Sequence, residues 1–269
     1  MSERTPALNF AMNLLDVPAA AIASLEFNDH PLPLTIHAVK EMNRGLFDPL
    51  EASPNLQEAA RIFQEYMYVV FGLHGQGTYD PIHKARRYRS SYLRLLKGWG
   101  FDSNSMEGAV LKGWVESRFG LFPIYHKEPI IRFNSKAWVR YVEEKMASRF
   151  HNNAIHTQLD LLYTFCQWTL DRFGPGEDGY FTLYRGVNRF DEETLIEKRS
   201  KYEAIVRLNS LTSFTTLEEI AQTFGDIVFK TEVPVAKIVF CNDLFPEHPL
   251  RGENEYLALG GGYRIQILP

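Results

Sequence analysis

Gly174-Pro175-Gly176-Glu177-Asp178-Gly179 (GPGEDG) separates two stretches of unlike texture, and its reading decides the fold. Glycine and proline at this density interrupt regular structure, so the segment reads as a flexible connector. Its letters also spell G-x-G-x-x-G through Gly174, Gly176 and Gly179. A dinucleotide fingerprint needs a strand before those glycines and a helix after them. Here the order is reversed, and Glu177 and Asp178 stand where phosphates would lie.

Upstream of the connector, apolar residues recur at helical spacing from about Asn55 to Phe173. Leu56, Ala60, Phe63, Met67 and Val70 make one stripe, and Leu159, Leu162, Tyr163, Cys166 and Leu170 another. Gly72 to Gly77, Gly98 to Gly100, Gly120 to Pro123 and Pro129 break these runs apart. Before them, Pro18, Pro31, Pro33 and Pro49 predict short elements that wrap the surface. Downstream, short runs rich in β-branched and aromatic residues predict strands: Phe181–Val187, Arg207–Thr215, Ile227–Val233, Lys237–Cys241, Glu255–Leu259 and Tyr263–Leu268. Gly260-Gly261-Gly262 suits a tight reversal between the last two. Among the strands one helix is expected. Thr216 and Glu219 spell a capping box, Leu217, Ile220, Ala221 and Phe224 form a stripe, and Gly225 sits where a C-terminal cap belongs. Helices followed by strands point to an α+β fold. Residues 1–269 are read as one domain, with a mainly helical part, 1–173, and a β-rich part, 180–269.

A net charge of −4 over 269 residues speaks against a nucleic-acid binder, which usually carries a strongly basic balance. The basic, aromatic stretch Lys84 to Lys97 reads as a solvated helix face or a docking patch for an acidic partner. Two cysteines, Cys166 and Cys241, each in an apolar run, make neither a disulfide framework nor a zinc pattern. Buried free thiols account for both. No apolar run is long enough for a signal peptide or a membrane span, so a cytoplasmic protein is expected. No metal is expected either: His151 and His156 have the wrong spacing for one helix face.

Three features carry chemistry. Glu253-Asn254-Glu255 opens a strand, and alternation puts both acids on one face. Such a pair is tolerated as solvated strand-end charge, or where something positive is to sit beside it. Arg185, in Tyr184-Arg185-Gly186, shares a strand face with Phe181 and Leu183. An arginine facing inward needs an anion, which a structural ion pair or a phosphate can supply. Leu208–Thr216 (LNSLTSFTT) is a strand dense in hydroxyls that runs into the expected helix.

The order of these elements, an arginine strand, a Ser/Thr strand entering a helix and an E-x-E strand, resembles the R-S-E class of ADP-ribosyltransferases over Phe181 to Leu268. A longer stretch, RSSYLRLLKGWGFDSNSMEGAVLKGWVESRFGLFPIYHKEPI (Arg89–Ile130), resembles the dinitrogenase reductase ADP-ribosyltransferases. That resemblance implies an ADP-ribosyltransferase-like fold, its helical half packed on a β-core of two small sheets. It implies NAD as co-substrate, no metal, and transfer of ADP-ribose to an arginine of dinitrogenase reductase, which switches nitrogenase off. A PII signalling protein is the regulatory partner implied.

By the same resemblance, Arg185 with Gly186 would hold the NAD diphosphate and nearby ribose. The family's S-T-S appears as Ser213-Phe214-Thr215 or Phe214-Thr215-Thr216. Ser213 with Thr215 is preferred because they share a strand face, with Ser210 a weaker candidate. Glu255 would be the catalytic acid, stabilising positive charge in an oxocarbenium-like transition state. Glu253 would orient the incoming guanidinium and take its proton. The loop Leu244 to Gly252 would meet the target, with Phe245 as its aromatic contact or, alternatively, a core residue. Two other readings remain: a catalytically inactive relative that only binds a partner, and the same chemistry on another protein or on water.

Overall fold

The computed structural model describes residues 15–73, 91–147, 149–152, 154–174, 179–188, 193–245 and 254–269. The proline-rich start forms four short helices: α1 (Ala19–Ile22), α2 (Leu25–Asp29), α3 (Val39–Met42) and α4 (Arg44–Glu51). Four longer helices follow, each with a side chain that caps its first turn. Asn55, Ser91, Ser105 and Ser135 each accept a backbone N–H at the start of α5 (Leu56–Phe71), α6 (Tyr92–Phe101), α7 (Met106–Phe119) and α8 (Lys136–Lys145). Gly72 and Gly120 end α5 and α7 in the left-handed conformation. A two-stranded ribbon, β1 (Tyr125–His126) and β2 (Glu128–Pro129), lies between α7 and α8.

The stripe expected on α5 is buried at Ala60, Phe63 and Met67, whereas Val70 is exposed. Helix α9 (Ile155–Phe173) is buried around nearly its whole girth, because it lies between the other helices and the sheet. It is joined to the N-terminal segment and to the β-rich part by polar contacts as well as by packing. The Tyr163 hydroxyl donates to the carbonyls of Leu34 and Ala236, and Gln167 Nε2 donates to those of Val235 and Ile238. Cys166 and Cys241 are buried free thiols.

The strands are β3 (Tyr180–Val187), β4 (Thr194–Lys198), β5 (Glu203–Thr215), β6 (Ile227–Pro234), β7 (Ile238–Cys241) and β8 (Glu255–Ile267). A short helix, α10 (Glu218–Gln222), follows β5. All pairings are antiparallel, in the order β4-β5-β3-β6-β8-β7, with β5 also paired to β8. Two small separate sheets were expected; the described strands instead join into one six-stranded sheet. The reason is the length of β5 and β8, at 13 residues each. They pair with each other along most of their course and reach β3, β4, β6 and β7 from different ends.

The expected reversal at Gly260-Gly261-Gly262 is not there, since β8 runs straight through the glycines. Their role is close approach. A Cβ on Gly260 would stand 1.7 Å from the Asn209 carbonyl oxygen, opposite the register shift between Leu208 and Leu211. Gly261 has φ +120° and passes under the Ala23 backbone, whose carbonyl accepts from the Gly262 N–H. The capping box of α10 is also absent. The helix starts later than the box requires, with Leu217 at the cap, and the Thr215 hydroxyl accepts the Leu217 N–H. Gly225 lies beyond the helix end and instead lets the chain pass the Val187 carbonyl carbon, which a Cβ would meet at 2.2 Å.

Candidate active site

The C-terminal ends of β3 and β5, the start of β8, helix α10 and the turn after α6 enclose a cleft of about 450 Å³. That is within the ~300–1,000 Å³ of small-molecule sites. Thr215 and Glu255 face each other across the β5–β8 pair. Asn254, at φ 44°, is in the left-handed region as the chain enters β8, a conformation asparagine tolerates better than most residues.

Glu255 is held by a two-step relay. Trp99 Nε1 donates to Ser213 Oγ at 2.7 Å, and Ser213 Oγ donates to Glu255 Oε1 at 2.7 Å. The indole can only donate, so the serine oxygen accepts there and its own hydrogen is directed to the carboxylate. Ser213 is therefore the hydroxyl that meets Glu255. Thr215 lines the cleft, but its hydroxyl serves the Leu217 amide. Ser210 is buried at the β5 irregularity and does not line the cleft.

Arg185 enters from β3. Its Nη1 donates to the Ser213 carbonyl at 3.1 Å, and its Nε to Glu193 Oε1 at 2.8 Å. The structural ion pair weighed for Arg185 is thus present, and it lies within the cleft, which Glu193 also lines. Gly186 is needed for packing: a Cβ would stand 1.8 Å from the Ala221 carbonyl oxygen, so only glycine lets α10 lie this close to β3.

Beneath the turn after α6, the buried Lys112 donates to Asn104 Oδ1 at 3.0 Å and to the Tyr125 carbonyl at 3.2 Å. Its ammonium also lies 5.8 Å from the Trp99 ring centre. Asn209 Nδ2 donates to the same Tyr125 carbonyl, joining the β1 ribbon to β5. These contacts fix the wall from which Trp99 reaches Ser213.

Glu253 lies outside the described residues, as do 246–252 of the loop expected to meet the target and 84–90 of the basic stretch. Lys97 and its near neighbours are in α6. Phe245 is described, and it is not an exposed loop aromatic. It is 1% exposed, with its ring centroid 5.7 Å from Phe63 and 6.1 Å from Phe165. The core alternative holds, because the short turn Asn242–Leu244 carries the chain back over α5 and α9. An exposed aromatic does stand at the cleft: Phe101 lines it and is 83% exposed. Among the described residues no group of three or more His, Cys, Asp or Glu could hold a metal ion, and no helix is long and apolar enough to cross a membrane.

Trp99 and Glu193 are two cleft residues that sequence reading missed and that bond to its expected site residues. Trp99 lies within Arg89–Ile130, and its flanking glycines read only as breakers. Glu193 had no local signal.

Arginine, serine and glutamate from three strands thus share one cleft, which makes this an arginine–serine–glutamate site. Residues 12–267 match the model of the family described as dinitrogenase reductase ADP-ribosyltransferase, and the chain belongs to that family. It is 50% identical over 272 residues to the NAD(+)–dinitrogen-reductase ADP-D-ribosyltransferase of Rhodospirillum rubrum, over 99% of this chain and 98% of that one. No solved structure matches the chain.

Proposed function

We propose that the protein transfers ADP-ribose from NAD to an arginine side chain of dinitrogenase reductase, and so switches nitrogen fixation off. The observation that carries the reading is the Ser213–Glu255 hydrogen bond of 2.7 Å in a cleft shared with Arg185, in a chain of this family. On this reading the architecture is an ADP-ribosyltransferase-like fold acting as a single domain.

The residues suit the co-substrate. Arg185 presents a planar five-donor fork that can hold phosphate oxygens while its Nε stays on Glu193. Ser213 and Trp99 hold Glu255 in one orientation beside the ribose. Glu255 then stabilises the positive charge that develops on that ribose as its bond to nicotinamide breaks. A carboxylate fixed beforehand needs no reorganisation at that moment. The bonding pair leaves with nicotinamide, and a nitrogen of the target arginine forms the new bond to the ribose carbon. Glu253 takes the proton that this nitrogen gives up. The R. rubrum relative's name refers to both NAD(+) and dinitrogen reductase, and the likeness along the whole chain supports the same pair here.

The test is incubation of the purified protein with labelled NAD and ADP-bound dinitrogenase reductase, followed by mass analysis of the target. One ADP-ribose on one arginine is expected. Consumption of NAD with an unlabelled target would discard the partner and keep the chemistry. Neither label nor consumption, with a PII protein added, would leave a partner-binding relative.

A further inference from the structure

Glu193 is a second carboxylate in the cleft, and the transfer chemistry above does not use it directly. Its side chain is 2% exposed. Oε1 accepts from Arg185 Nε, but among the described residues no donor reaches Oε2, which is buried too. A carboxylate has only acceptor sites to offer, and a buried oxygen left unpaired is costly. Glu193 lines the cleft, so a hydroxyl or amine on a molecule bound there can supply that donor.

The order of residues says which part of that molecule. Glu255 is bonded to Ser213, the Ser213 carbonyl to Arg185, and Arg185 to Glu193, so hydrogen bonds link the four in that order. The inference rests on the NAD reading above. With Glu255 at the nicotinamide ribose and Arg185 at the diphosphate, the next sugar beyond Arg185 is the adenosine ribose. We propose that Glu193 Oε2 accepts a hydrogen bond from the 2′-hydroxyl of the adenosine ribose, and thereby selects NAD against NADP. A 2′-phosphate at that position supplies no comparable donor and brings like charges together.

Glu193→Gln is the informative substitution because Arg185 orients it. Nε of Arg185 is a donor, so the amide oxygen must face it and the NH₂ faces the ribose. The variant therefore swaps acceptor for donor where the 2′ substituent sits. Initial rates of target modification would be measured with NAD, with NADP, and with NAD carrying 2′-deoxyadenosine. The preference for NAD over NADP in kcat/KM should fall by about tenfold or more in Glu193→Gln, with KM for NAD rising more than kcat falls. The deoxy analogue should cost the wild type about tenfold, because the 2′-hydroxyl is the donor that it lacks.

A merely structural role in holding Arg185 would weaken both dinucleotides alike. An unchanged NAD/NADP preference in a variant that still transfers would overturn the inference and leave the NAD reading standing. If Glu193→Gln does not fold, the analogue decides on the wild type alone: a rate within about twofold of NAD's overturns it. Failure of the wild type to transfer from NAD at all would overturn the NAD reading, and this inference with it.

Discussion

Trp99 decides which way the Ser213 hydroxyl points, because an indole N–H has no acceptor face to offer in return. Trp99→Phe keeps a large ring in the wall and removes that donor. Transfer should slow by about tenfold, carried by kcat more than by KM for NAD. Single-turnover kinetics would show this, and an unchanged rate would remove Trp99 from the account. Ser213→Ala, which deletes the bond to Glu255 itself, should cost more. What could be read from the sequence at this scale was chemical oddity: paired acids opening a strand, and an arginine in an apolar one. Trp99 was not legible, since a tryptophan in an amphipathic helix reads as core and its partner lies 114 residues further on. Glu193 stands just before β4, which pairs with β5 and not with β3, so no local pattern announces its contact with Arg185. Phe245 shows the converse limit: whether a loop aromatic faces water depends on what packs over it.

At the scale of elements, alternation and helical periodicity found most of what the structure contains. The departures have physical causes. Strand β4 is exposed along its whole length and so has no alternation to detect. The glycines of β8 misled because the same residue serves a reversal and a close crossing. Gly260→Ala tests the crossing. Its methyl would fall 1.7 Å from the Asn209 carbonyl oxygen, which is backbone and cannot swing aside. Denaturant unfolding should show a loss of roughly 2 kcal/mol or more. A variant as stable as the wild type would mean that β5 and β8 do not approach as described. Gly186→Ala should separate α10 from β3 by the same logic, with NAD binding lost before the fold.

Across the whole molecule, one buried apolar cluster runs from the helices into the sheet, including Phe63, Trp114, Phe165, Phe240 and Leu257. Within the β-rich part, Lys237 is fully buried, with its ammonium 4.8 Å from the Tyr263 ring centre and 5.3 Å from that of Phe27. Burial lowers its pKa from 10.5 to about 7. Between those values the unfolded chain binds the extra proton, so this residue makes stability rise with pH. Its cost is complete below about 7 and gone by 10.5. Lys237→Met should therefore raise the urea midpoint at pH 6 and give a smaller gain at pH 10. Equal gains at both would contradict the burial argument. The cleft lies where the helical and β-rich parts meet: Trp99 comes from one, Ser213 and Glu255 from the other. The rate of nicotinamide release in the presence of dinitrogenase reductase, wild type against Glu255→Gln, tests that joint site most directly. The account predicts a fall of about a thousandfold with NAD still bound. Release within about twofold of the wild type would show that Glu255 is not the group at which the transfer occurs.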